Sequence, residues 1–485
     1  MQKIKTRLFS LTAALLMVLT LFAYLPYGAI SAYAQGSGTE KDPIIVTTYD
    51  ELREAMDMSA ETKAGTKRFV TLGSDIKSED SQNDYNLLMI SPVETEVTLD
   101  LNGHSISRIC RSIDTAFIQL GESTGSDFDN CTLNIRDSKG GGNVYFKNNA
   151  SSNNYIIMVW GGKLNIYGGY FSSEYRSDDV LHIMNGEINI YGGTFTSRKI
   201  VVQTEGGYLY IHNGIFNCTV GDNDRVPTGL YLSSNLGDFC IYNCTLNCTN
   251  ENKDYFGKIS VGGMEKASSG RLSAHLPPAV EVECDGVKQT NLDRYGFEGR
   301  KIVITDKTDY DVDIKITEPK QGATPSFKCT IDNPSVSLQP YMNPMQVFWH
   351  EIDENDNVHP MDENETFDLE NYTYRCVTRL KSDSSGFFKK AKVTMNGKPC
   401  DVTSDTLVDK TVSLTFTNKK FIKGDVTGDG KITISDVAKV AAHIKGKKIL
   451  TEEQQAIADI DGNGKITISD LTRIAAHVKG KKLIK

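Results

Sequence analysis

The stretch GKLNIYGGYFSS, residues 162–173, decides the fold of the long amino-terminal part, because the chain repeats it. GEINIYGGTFTS follows at 186–197, GYLYIHNGIFNC at 207–218 and GDFCIYNCTLNC at 237–248. Aligned, Leu164, Ile188, Leu209 and Phe239 lie 24, 21 and 30 positions apart. Each copy alternates apolar and polar residues, reaches a bend rich in Gly or Asn, and then supplies one more apolar residue (Phe171, Phe195, Phe216 or Leu246). A short unit of this kind cannot bury its apolar face alone, so neighbours must stack. The pattern predicts a parallel β-helix over 36–305.

Second strands fit the same frame: YIIMVW at 155–160, VLHIM at 180–184, KIVVQ at 199–203 and GLYLS at 229–233. Earlier, TLNIRD puts Leu133 in the same row, 31 positions before Leu164, and TLDLNGH adds Leu99. Six turns at strand spacing give a rod of roughly 30 Å. An open end of such a stack exposes strand edges, and TTYDELREAMDMSA at 47–60 reads as a short helix suited to covering it. Register aligns Cys218 with Cys248 in adjacent turns, which suits a disulfide or a row of thiols.

This region, and VTLDLNGHSI at 97–106 most of all, resembles the right-handed β-helices of the pectate-lyase-like and adhesin-like group. The resemblance implies an architecture, and that fold hosts lyases, glycosidases, adhesins and stalks. A lyase needs acids to hold calcium, or a base for a sugar C5 proton; a glycosidase needs two carboxylates at a set separation. Asp178, Asp179, His182, Asp222, Asp224 and Arg225 are the residues that one side of adjacent turns could assemble. Solvated loop charge explains the same residues. Trp160, Gln203 and Tyr231 are the other polar or aromatic strand residues, and His104 reads as part of a turn. Tyr167, Tyr191 and Tyr231 would serve either as sugar platforms or as ordinary cover.

From about residue 306 the pattern becomes short alternating strands with polar turns, as in MQVFWHEID and YTYRCVTRLKS, which predicts a β-sandwich over 306–418. Cys329, Trp349 and Cys376 keep the order of immunoglobulin domains, and Tyr374 stands where a tyrosine corner would. The cysteine separation of 47 is short for an antibody domain, so a bridge and two thiols both stay open. ITEPKQGATP and VTMNGKPCDV resemble bacterial immunoglobulin-like modules of secreted surface proteins, which implies a spacer, with sugar binding as the alternative.

GDVTGDGKITISD at 424–436 and ADIDGNGKITISD at 458–470 stand 34 residues apart. Calcium takes oxygen ligands at alternating positions of a twelve-residue loop with a glycine at the turn. Asp425, Thr427, Asp429, the Lys431 carbonyl, Thr433 and Asp436 fill those positions in the first loop, with Gly430 turning. Asp459, Asp461, Asn463, the Lys465 carbonyl, Thr467 and Asp470 fill them in the second, with Gly464 turning. An apolar set at helical spacing follows each loop: Val437, Val440 and Ile444, then Leu471, Ile474 and Val478. Between them TEEQQAIA reads as a helix capped by Thr451, with Gln454 reaching back. His443, His477 and the nearby lysines read as solvated helix ends.

The pair of loops, each with Asp rather than Glu at its twelfth position and no helix before the first, resembles the type I dockerin over 421–485. That resemblance implies a small all-α domain (419–485) with two EF-hand-like loops holding two Ca2+ ions. It also implies calcium-dependent binding to a cohesin module of a scaffoldin, within a cellulosome-type assembly, in either of two orientations. The cohesin-contacting positions carried over are Ile434, Ser435, Ala441 and Ala442, with Ile468, Ser469, Ala475 and Ala476 in the twin. Many dockerins carry hydroxyl pairs and basic residues there; this chain does not, so its cohesin class is not legible. Thr427 replaces the usual Asn or Asp, which weakens the first calcium site.

The chain opens with MQKIKTR, an apolar run and an A-x-A site at Ala32 and Ala34, the pattern of a signal peptide (1–34) on a secreted protein with no later membrane span. Its removal takes away Lys3, Lys5 and Arg7 and no acid, so the formal charge goes from −9 to −12. That balance excludes general attraction to nucleic acid or anionic membrane. Ten irregularly spaced cysteines without a CxxC pair argue against a zinc site. Three functions remain for the β-rich part: a polysaccharide lyase or glycoside hydrolase, a non-catalytic glycan binder, or a structural arm.

Overall fold

A computed structural model describes residues 35–57, 63–79, 88–90, 94–110, 116–121, 131–148, 154–173, 178–198, 200–220, 229–233, 238–250, 257–262, 272–293, 296–339, 345–384, 386–404, 408–416 and 422–484. The expected signal peptide lies outside them. The chain divides into two compact units, one of residues 1–310 joined by 382–390, the other of 311–381 and 391–485.

In the first unit the chain visits three sheets in rotation. Lys163–Ile166 lies in the first sheet, Tyr170–Ser173 in the second and Asp178–Ile183 in the third; Glu187–Ile190 then returns to the first, one strand further along. Seven such circuits, from Thr66–Leu72 to Gly257–Gly262, lie among the described residues, one more than the sequence pattern marks. Their strands pair in parallel from circuit to circuit, an arrangement compatible with a β-helix.

Rows of like residues follow from that register. Leu133, Leu164, Ile188, Leu209 and Phe239 are consecutive partners, as the repeat alignment predicts, and all are buried. Leu99 is not in that row; Val97 pairs with Leu133, and Leu99 pairs with Ile135. A slip of two residues keeps every side chain on its own face, so the apolar pattern alone does not expose it. Phe171, Phe195 and Phe216 stack with ring centroids 5.0 and 5.2 Å apart. The glycine that opens the repeats has a backbone cause. Gly186 and Gly207 have φ of 97° and 76°, and a Cβ on either would lie 2.6 Å from the carbonyl oxygen of the glycine one circuit earlier. Cys218 and Cys248 are register partners and both remain thiols, buried and hydrogen-bonded to each other.

The helix Tyr49–Met56, capped by Thr48 and Glu51, puts Leu52, Ala55 and Met56 into the core at the first end, as the sequence predicts. At the other end antiparallel strands close the sheets, among them Lys301–Asp306 against Cys244–Asn250. On the outer side of the first sheet, Tyr210, Cys240 and Tyr242 are fully buried. The segment 382–390 supplies cover there: the Tyr242 hydroxyl donates to the Gly386 carbonyl at 2.6 Å, and Lys389 and Lys390 pair with Glu187 and Asp306.

Tyr167, Tyr191, His212 and Tyr242 form one stack, with centroid spacings of 4.9, 4.4 and 4.8 Å. Tyr191 and His212 have both faces inside the stack, while Tyr167 at its end stays half exposed. Burial, with Lys390 and Lys389 close by, pushes the His212 imidazole down to about 4. A histidine with a lowered folded pKa contributes stability that is complete above its unfolded value near 6.5 and is lost as pH falls toward 4. Unfolding measured across that window should show a slope approaching one proton, and His212→Gln should flatten it. Glu187, held down to about 2 against its burial by Asn189, Lys163 and Lys389, adds its own loss at lower pH, between its ordinary carboxylate range and 2.

The second unit holds a four-stranded sheet around Asp311–Ile316 and a six-stranded sheet around Thr373–Lys381. Trp349 is buried against Phe367 and Phe416, and its Nε1–H donates to the Ser326 carbonyl. The Tyr374 hydroxyl accepts the Asp368 N–H at 2.8 Å and donates to Glu351, tying the strand back to the chain six residues upstream. Cys329 and Cys376 are thiols, not a bridge. Among the described residues no helix is long and apolar enough to cross a membrane.

Candidate functional site

The two acidic loops lie in the second unit, each running into an eleven-residue helix, Ile434–Ile444 or Ile468–Val478. Thr433 and Asp436 form a capping box on the first helix, and Thr467 and Asp470 repeat it on the second. The same aspartates turn inward to their loops. Asp436 accepts from the Thr427 and Thr433 N–H groups at 2.7 and 2.8 Å; Asp470 accepts from those of Ile460, Asp461 and Thr467 at 2.9, 3.2 and 2.9 Å. Burial pushes both carboxyls up, but these donors outweigh it and hold both below the ordinary carboxylate range. At the loop starts, Asp425 gathers the N–H groups of Gly428, Asp429 and Gly430, and Asp459 those of Gly462, Asn463 and Gly464.

The loops differ at their third position. In the second, single oxygens of Asp459, Asp461 and Asp470 all lie within 4.8 Å of one another. Asp461 Oδ1 is buried and accepts no hydrogen bond among the described residues, while its other oxygen accepts from Ser469. A buried carboxylate oxygen without a donor, beside two further carboxylates, fits a hard cation. In the first loop the Thr427 hydroxyl takes that place and lies 3.2 and 2.8 Å from Asp425 and Asp436 oxygens. Asp429 and Asn463 occupy equivalent positions, each accepting the N–H two residues on, from Lys431 or Lys465, at 2.9 Å.

The helices pack through Val440 and Ile474, fully buried, with Val437, Ile444 and Leu471 against them. Between the loops Glu452–Ala458 carries the expected Thr451–Gln454 capping box. Of the residues carried over as contacts, Ile434 and Ile468 are each 69% exposed at the first turn of their helices, Ser435 and Ser469 are exposed beside them, and Ala441, Ala442, Ala475 and Ala476 are half-buried. The two exposed isoleucines stand at matched positions of the two copies, so each helix offers the same apolar residue to solvent. The histidines depart from expectation. Neither is a merely solvated helix end: His443 Nδ1 accepts the Leu450 N–H and His477 Nδ1 the Ile484 N–H, both at 3.0 Å.

In the first unit, Asp179 and His182 come together on the third sheet, Nδ1 to carboxylate at 3.3 Å, both buried. Glu205, which the sequence reading passes over, lies 3.4 Å from Nε2, and the Tyr155 ring packs 4.3 Å from the imidazole. The Asp178 side chain and all of Asp222, Asp224 and Arg225 lie outside the described residues. Gln203 pairs with His182 in register, and Tyr231 with Gln203, so these three side chains stand in line on adjacent strands. His104 closes a turn onto Leu101, as expected.

Residues 423–479 match the family model described as the Dockerin type I domain. No curated protein and no solved structure matches the chain.

Proposed function

We propose that this chain is a secreted component of a cellulosome-type complex, tethered through its carboxy-terminal dockerin to a cohesin module in a calcium-dependent way. The observation that carries this reading is the pair of matched loops with exposed Ile434 and Ile468 at the head of each helix. Asp425, Thr427, Asp429, the Lys431 carbonyl, Thr433 and Asp436 would hold one Ca2+ ion; Asp459, Asp461, Asn463, the Lys465 carbonyl, Thr467 and Asp470 would hold the other. Calcium bound there would neutralise the carboxylates and hold the loop, while the capping aspartates Asp436 and Asp470 set the direction of each helix. The contact sets led by Ile434 and Ile468 would serve two docking orientations related by a half turn.

The β-rich first unit is the cargo, a right-handed parallel β-helix that acts on polysaccharide as a lyase or glycoside hydrolase. The Asp179–His182–Glu205 group supports this reading, because carboxylates on both ring nitrogens are the kind of grouping that moves protons. The alternative is a non-catalytic carbohydrate-binding or structural arm, and one observation favours it: Asp179 and His182 are 5% and 4% exposed, which leaves little of either for a substrate to touch. The sheets of the second unit serve as an immunoglobulin-like spacer.

Incubating the full chain with a panel of plant and host polysaccharides separates these readings. New reducing ends, or absorbance from unsaturated uronates, that disappear in His182→Ala and Glu205→Gln are the expected result. Depletion of the protein onto a polymer without product would make it a binding arm, and neither signal would refute a role on polysaccharide.

A further inference from the structure

We infer that the two loops load calcium in order, the second before the first, so that the docking face on helix Ile468–Val478 is built at lower calcium than its twin. This rests on the dockerin reading above. Charge does not separate the sites, since each loop carries three aspartates at its ligand positions: Asp425, Asp429 and Asp436 against Asp459, Asp461 and Asp470. With charge count equal, the arrangement of the ligands decides affinity.

In the second loop the arrangement is already made. Its three carboxylates converge, and one buried oxygen of Asp461 has no donor among the described residues. Such an oxygen costs stability until a cation reaches it, so binding there relieves an existing penalty. In the first loop the third carboxylate is elsewhere. Asp429 is exposed and accepts the Lys431 N–H, and among the described residues no convergent group forms around Asp425 and Asp436. The Thr427 hydroxyl sits between those two aspartates, 3.2 Å from one and 2.8 Å from the other, and gives a hydrogen-bonded neutral bridge where the second loop has a charge. A cation entering the first loop must displace that bridge and gains a neutral oxygen in return. Both changes lower its affinity.

The two halves are otherwise close copies, with matched capping boxes, matched histidine acceptors and equal exposure of their leading isoleucines. The third loop position is therefore where a twofold docking device loses its symmetry. At calcium levels that fill only the second loop, the ordered face is the one led by Ile468 and Ser469, and one of the two orientations is favoured.

Calorimetric titration of the calcium-stripped full chain with calcium chloride tests this. Two steps whose dissociation constants differ by about tenfold or more are expected, a scale that ligand placement commonly produces. Asp425→Ala should keep the tight step and lose the weak one, and Asp459→Ala should do the reverse. Thr427→Asp, which replaces the hydroxyl bridge by a carboxylate, should tighten the weak step toward the tight one. Two equal steps, a tight step lost in Asp425→Ala but kept in Asp459→Ala, or no tightening in Thr427→Asp would overturn the order while leaving a calcium-binding dockerin intact. Absence of any calcium binding would overturn both.

Discussion

Replacing Asp425 and Asp459 by alanine together is expected to abolish capture of the chain by a cohesin that captures the parent protein. Each aspartate opens its loop and collects three backbone N–H groups, so its loss removes the local scaffold together with the proposed ion ligand. The helices that carry Ile434 and Ile468 start from these loops, and their packing rests on a small core centred on Val440, Leu450, Ala458 and Ile474. A core of that size leaves little stability in reserve, so losing two ions should unfold the domain rather than weaken one contact. Surface capture of the double variant at saturating calcium is the measurement. Undiminished capture would refute the assignment.

The second large effect is expected at Phe195. Its ring is fully buried and stacked between Phe171 and Phe216, and the backbones of all three are fixed by parallel pairing on either side. A cavity there has few ways to collapse, so Phe195→Ala should cost about 3–5 kcal/mol. That is a large share of the roughly 5–15 kcal/mol available to a folded domain. Denaturant unfolding should show the first unit melting much earlier, with Phe195→Leu losing far less because the volume is largely kept. A loss under about 1 kcal/mol for the alanine variant would mean that the stacked rows are not the core.

Much of this was legible in the sequence because its causes are local or strictly periodic. The row from Leu133 to Phe239 and the row from Phe171 to Leu246 follow directly from the repeats, since the residues that stack are the residues that recur. The capping box of Thr451 and Gln454 needs only four residues to be recognised. What escaped depends on contacts the chain makes far from home. Nothing in the repeats marks 382–390 as belonging with the first unit, yet Gly386 meets Tyr242 across 144 positions. A Cβ on Gly386 would fall 2.6 Å from the Tyr242 oxygen, a constraint invisible until both are placed.

Glu205 was passed over for a similar reason. It follows the strand Val202–Thr204 in a bend, and only the stacking of one circuit on the next brings it to His182. The roles of His443 and His477 are hidden in sequence because a histidine near a helix end with lysines around it has an ordinary solvated explanation; their backbone partners lie seven residues on, in turns with no motif. In the two acidic loops, spacing alone nominates the same positions in both copies. The difference between a converged and an unconverged site appears only when Thr427 and Asp461 are seen with their neighbours.

The most direct test of the central claim is capture of the intact chain on a panel of immobilised cohesin modules, first in calcium and then after exchange into a chelator. At least one cohesin should retain the chain in calcium and release it when calcium is removed. Failure of every cohesin to retain it, or retention that survives the chelator, would contradict a calcium-dependent docking function.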